Sequence, residues 1–196
     1  MAQTPFSAQA DWTYFTSPLD TASQHFGPFA ELVELWRGRA DTPGWPPRRG
    51  AFQVEDFIGW LGRIFIARVE REPFDLRYTL WGTTLVEWWG VDYTNKTLGS
   101  ESSDPEIWAG AELEYFKEMD RTPFIGIASG YLTLHDRSHI QVIAVDLPCF
   151  ENRVFTHVIS AHLRIGEDEE ETLESLLPGC PLTRFTAPVR RTLGHR

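Results

Sequence analysis

Residues 77–95 read RYTLWGTTLVEWWGVDYTN, and how this stretch divides into elements decides the fold. The β-branched and aromatic run that ends at Trp81 reads as a strand, Gly82 breaks it, and Thr83 or Thr84 stands where it can cap a short helix, LVEWW, that stops at Gly90. The stretch is therefore a joint between a sheet and the layer that covers it. Strict alternation sends Trp81 to the face opposite Tyr78 and Leu80, while Trp88 and Trp89 diverge by about 100° around the helix. On this reading the three tryptophans do not face one ligand. Trp88 or Trp89 lines a pocket, and Trp81 helps an N-terminal helix cover the outer face of the sheet.

Outward from the joint, IFIARVERE (64–72) and LRYTLW (76–81) predict an antiparallel hairpin turning at Pro73–Asp75. Upstream, FAELVELWRGR places Phe29, Leu32, Val33 and Trp36 on one helical stripe behind Pro28. A proline-rich linker follows, and then QVEDFIGWLGR predicts a second helix with Val54, Phe57, Ile58 and Leu61 on its stripe. Downstream, Asp104 and Pro105 open a longer helix whose stripe is Trp108, Ala111, Tyr115 and Met119. Three long β-rich runs then predict a meander. The order defines an α+β fold: a five-stranded antiparallel sheet covered by helices on one face, with the N-terminal helix on or near the other. Residues 1–27 read as an irregular arm, 28–165 as the domain, and 166–196 as an acidic and then basic tail.

The 196 residues are 42% hydrophobic and 23% charged, with a formal net charge of −10 and a pI near 5.0. That field repels phosphate backbones and anionic headgroups, so neither nucleic acid nor a membrane surface is an expected partner. No apolar run is long enough to span a bilayer and the N-terminus lacks a signal-peptide pattern, which leads to the expectation of a cytoplasmic protein. Cys149 and Cys180 stand apart without metal-ligand spacing.

The segment from Glu34 to Asp92 resembles a divergent bacterial PAS family, seen mostly in alphaproteobacteria, in Trp36, Arg37, Pro47, Arg49, Phe65, Arg77, Tyr78, Leu80, Gly82 and Thr83, with Leu147 and Pro148 later in the chain. The resemblance covers about residues 28–165. It departs after the short helix, where the family usually reads Gly-Arg-Asp-Leu-Thr-Gly and this chain reads Gly-Val-Asp-Tyr-Thr-Asn. It implies a stand-alone PAS-like domain, a sensory or protein-interaction module that binds a small molecule and signals through a protein partner or a homodimer.

Cofactor marks of that fold are missing from the sequence: SESSDPEIW offers no flavin-type cysteine, and residues 104–120 hold no histidine for haem. Flavin and haem are not expected, and the ligand stays unknown. The aromatic set Tyr78, Trp88, Trp89, Trp108 and Tyr115, with His157 as a polar contact, is either the lining of a small-molecule site or a filled core. His157 is placed by alternation on one face with Phe155, Ile159, Ala161 and Leu163. The rival from another class is a small cone-shaped enzyme of the nuclear-transport-factor-like kind, using His157 with Asp136 or Asp146 as an acid/base pair, Asp146 and His157 lying on neighbouring strands. No phosphate loop, nucleophile elbow or dinucleotide motif is present. The HDRSH turn, residues 135–139, is read as solvated rather than as a metal site.

Overall fold

Seven antiparallel strands form one sheet in a computed structural model that describes residues 12–99, 111–132, 137–166 and 172–187. In chain order the strands are β1 (Trp12–Ser17), β2 (Ile64–Arg71), β3 (Phe74–Trp81), β4 (Ile125–Leu132), β5 (Arg137–Glu151), β6 (Val154–Arg164) and β7 (Thr183–Arg184). They lie in the order β3-β2-β6-β5-β4-β1-β7. Among the described residues the α-helices are α1 (Ala30–Gly38), α2 (Thr83–Trp89), α3 (Ala111–Arg121) and the single turn α4 (Leu173–Leu176). The architecture is α+β, with the hairpin β2–β3 and the meander β4–β5–β6 where the sequence pattern puts them. The turn from β5 to β6 is made at Asn152 and Arg153, both with positive φ, which matches the twist of a two-residue hairpin.

The central strand β5 is buried on both faces, and alternation sorts its residues into two cores. Ile143, Val145, Leu147 and Cys149 pack with Ile64, Ile66, Ile127 and Ile159 under Phe29, Leu32, Val33 and Trp36. The amphipathic α1 therefore covers this face, and the Trp36 indole N–H donates to the Pro148 carbonyl at 3.0 Å, fixing the helix over β5. On the other face Ala144 joins Phe65, Tyr78, Trp81, Leu85, Tyr115, Phe116 and Met119, contributed by the hairpin, α2 and α3.

The sheet is wider than the five strands expected. Residues 12–17 of the supposed irregular arm pair with β4 along their whole length, and β7 pairs with β1. Nothing in WTYFTS alternates cleanly, because its order comes from the free edge of β4 rather than from its own pattern. Part of the tail is docked as well: Leu177 is buried in the α1-side core.

The helix expected at 53–63 is instead a run of 3-10 turns, Val54–Phe57 and Leu61–Arg63. Asp56 accepts from the Gln53 backbone N–H and closes the first turn, and Gly59 and Gly62 interrupt any continuation. Phe57 and Trp60 turn inward, stacking on Phe52 and Phe29 respectively. Val54 and Ile58 are left 54% and 72% exposed, not on a buried stripe.

Helix α2 stops at Gly90 as read, but it starts two residues earlier than LVEWW, at Thr83, and its N-cap is Gly82 with no side-chain cap, not a threonine. Gly82 is required for a different reason: a Cβ there would lie 2.4 Å from the Gly62 carbonyl oxygen. Both partners are backbone, so neither can swing away. Gly82→Ala is expected to destabilise the fold by about 2 kcal/mol or more, as an overpacked site does. Gly38→Ala, where a Cβ meets nothing within 4 Å, is expected to be near neutral. Urea denaturation of the two variants checks this.

Candidate functional site

The site is organised by one irregularity in the hairpin. Ile66 pairs with Leu80 but Ala67 pairs with Tyr78, so Thr79 is an extra residue on β3. This β-bulge breaks the alternation, and Tyr78 and Trp81, three residues apart, come to the same face. Trp81 is accordingly not part of the outer cover under α1. It stacks on Phe65 with ring centroids 5.4 Å apart and planes 6° from parallel.

From Trp81 the contacts close on themselves. Its ring meets Trp89 of α2 edge-on at 5.5 Å, Trp89 meets His162 of β6 edge-on at 5.5 Å, and His162 lies 5.3 Å from Phe65. Phe65, Trp81, Trp89 and His162 thus form a four-ring box between the sheet and α2. Tyr78 and Tyr93 buttress it, with centroids 5.0 and 4.7 Å from Trp81.

Beside the box the sheet carries small residues. His162 pairs across the strands with Ala144, and Ala144 with Ala128, both alanines being buried. One step along the same face Asp146 pairs with Gly126 and Ser160. The Ser160 and Tyr115 hydroxyls donate to the two Asp146 carboxylate oxygens at 2.6 and 2.9 Å. Gly126 makes this possible, since a Cβ there would stand 1.7 Å from the Tyr115 hydroxyl oxygen.

Burial pushes the Asp146 carboxyl up, with the two hydroxyls opposing the shift. Glu112, in the first turn of α3, accepts from the Tyr14 hydroxyl and is pushed up to about 7 by burial and then by the Asp146 charge. Burial drives His162 down to about 4, the Ser160 and Arg63 backbone offsetting part of it, so its ring is neutral at pH 7. Among the described residues, three buried side-chain nitrogens lack a hydrogen-bond partner: Trp81 Nε1, His157 Nδ1 and His162 Nδ1. Two of the three belong to the box.

The sequence-predicted site residues divide. Tyr78 and Trp89 belong to the box and its buttress. Trp88 packs beside it on Leu132, Ile140 and Val142. Tyr115 is on the same face and in the same core, in a neighbouring ring cluster with Tyr14, Phe116, Phe124 and Phe185, and it bonds to Asp146. Trp108 lies outside the described residues, as do His135 and Asp136 of the HDRSH turn.

His157 is in the wrong place for this site. It pairs with Arg68 and Cys149 on the α1 side, where burial and then Arg49 and Arg68 hold its pKa down. Phe155 does not share its face, because a register shift between Cys149 and Phe150 sends Phe155 to the other core. Asp146 faces α3, so the supposed Asp146–His157 pair is divided by the sheet. Phe65, Trp81 and His162, which complete the box, are not among the residues the sequence singles out for the site. The available signal was that His162 alternates with Ser160 and Val158, on the face opposite His157.

No family model, curated protein or solved structure matches this chain.

His162 also sets a pH dependence. Its unfolded pKa is near 6.5 and its folded one about 4, so below 6.5 the unfolded state binds the extra proton and stability falls as pH drops toward 4. The advantage of wild type over His162→Phe is expected to be smaller at pH 4.5 than at pH 7 by about 2–3 kcal/mol, measured by urea denaturation at each pH.

Proposed function

We propose that this chain is a PAS-like sensory module that holds a small molecule against the α2/α3 face of its sheet and signals through a protein partner or a second copy of itself. The observation that carries the reading is the pair of unpartnered nitrogens, Trp81 Nε1 and His162 Nδ1, on rings 9% and 3% exposed that share one aromatic box. A core meant only to be filled gains nothing from an unpaired indole N–H, which costs about 1–3 kcal/mol relative to a paired one. Phenylalanine would fill the same volume without that cost. The neighbouring alanines Ala128 and Ala144 fit the same purpose, since larger side chains there would fill the ground beside the box.

The order of elements supports the PAS-like reading: a hairpin, a short helix, a longer helix and a three-stranded meander, with an N-terminal helix on the opposite face. The segment that departs from the family pattern after α2 contributes Tyr93, which packs on Trp81, so aromatic contact stands where the family places other chemistry. Among the described residues no helix is long and apolar enough to cross a membrane.

Native mass spectrometry of the purified chain is expected to show a mass excess that disappears on denaturation. Ala144→Leu is expected to lose it while keeping the wild-type circular dichroism. A bare mass from every expression host, together with an interior packed solid beside His162 in a crystal structure, would defeat the ligand reading and leave a protein-interaction adaptor.

A further inference from the structure

The chemistry around the box narrows the class of molecule it takes, and this step rests on the ligand reading above. We infer that the ligand is a neutral, flat molecule of about one aromatic ring bearing a carbonyl- or amide-type group, which Trp81 Nε1 and His162 Nδ1 bind.

Three physical constraints lead there. Trp81 Nε1 is a donor only, so the ligand presents an acceptor; an ammonium group has none and leaves the indole unsatisfied. The box walls are Phe65, Trp81, Trp89 and His162, and no side chain among them carries a charge at pH 7, His162 being neutral there. A carboxylate or phosphate held at the box would be buried without a countercharge, which costs far more than two hydrogen bonds return. The charged groups nearby stand outside the four rings, Arg137 among them, its guanidinium lying against Gly90 at the end of α2. Asp146 is of the wrong sign for an anion and already accepts two hydroxyls, and Glu112 lies beyond it. The Arg63 guanidinium sits over Trp60, and the Lys96 ammonium lies over Tyr93, one ring removed from the box.

The third constraint is shape. Trp89 stands perpendicular to both Trp81 and His162, so the described walls present flat faces and edges rather than a round hollow. A planar ring meets such walls by offset or edge contacts, the arrangements aromatic pairs prefer. His162 then adds selectivity. A neutral imidazole nitrogen pairs with a donor or an acceptor according to its tautomer, so an amide satisfies both protein nitrogens at once.

The test uses four probes that share one benzene ring, titrated calorimetrically into the full chain: benzamide, benzoate, benzylammonium and toluene. Benzamide is expected to bind at least about tenfold more tightly than the other three, one good buried hydrogen bond being worth about that factor. Trp81→Phe, which keeps a ring and removes the N–H, is expected to weaken benzamide about tenfold and to leave toluene unchanged. His162→Phe serves as the second variant, with circular dichroism and thermal melting confirming that each is folded. Tighter binding of benzoate or benzylammonium, or an equal loss of benzamide and toluene in Trp81→Phe, overturns the inferred class while the site itself stands. A charged molecule found bound by native mass spectrometry does the same. Absence of binding by every probe, with no co-purified molecule, overturns the ligand reading and this inference together.

Discussion

Asp146 accepting a hydrogen bond from the Tyr115 hydroxyl across Gly126 is the contact on which the α2/α3 layer depends. A carboxyl on a central strand, 3% exposed, is costly to bury unless its oxygens are paired. Ser160 on the neighbouring strand serves one oxygen, and the other is met from above by α3. That requirement sets where the helix crosses the sheet. Only a glycine at position 126 leaves room for the phenol, so three strands and one helix agree on a single arrangement. The opposite face has its own anchor in the Trp36 bond to the Pro148 carbonyl. With a polar tie on each side of β5, both helical layers are held in register with the same strand.

The aromatic box follows from a different constraint, the bulge at Thr79. With unbroken alternation Trp81 would face away from Tyr78, and Phe65 would lose its stacking partner. The Thr79 hydroxyl donates to the Ile66 carbonyl at 3.0 Å, at the place where the ladder shifts. A one-residue irregularity at the end of a hairpin thereby gathers rings from β2, β3, α2 and β6 that the sequence spreads over about a hundred positions. The box and the Asp146 network lie side by side on one sheet face, one apolar with two free nitrogens, the other polar and fully paired at its carboxylate.

Much of the fold was legible because hydrophobic periodicity survives wherever an element packs along its whole length. The α1 stripe, the hairpin and the meander all have that property, and Gly90, in the left-handed conformation at φ 74°, ended α2 as read. Periodicity failed where a neighbour rather than the local pattern supplied the order. β1 exists because β4 offers an unpaired edge, and the 53–63 stretch gave up its helix because Phe57 and Trp60 find partners in 3-10 turns. Of the site, Tyr78 and Trp89 were legible as large aromatics at a strand–helix joint. Trp81, Phe65 and His162 were not, because the alternation that local spacing predicts is broken at Thr79 and between Phe155 and His157.

The sequence by itself determined the α+β class, the order of the main elements and the acidic balance, because these depend on residue type and local spacing. Only the tertiary structure decided which side chains meet. A bulge reverses every face assignment beyond it, and a hydrogen bond such as Tyr115 to Asp146 joins positions 31 residues apart whose pairing no local pattern records. The opening tryptophans show the difference plainly. Their number and spacing are properties of the chain, whereas the contact of Trp81 with Trp89 exists only because Thr79 steps out of the ladder.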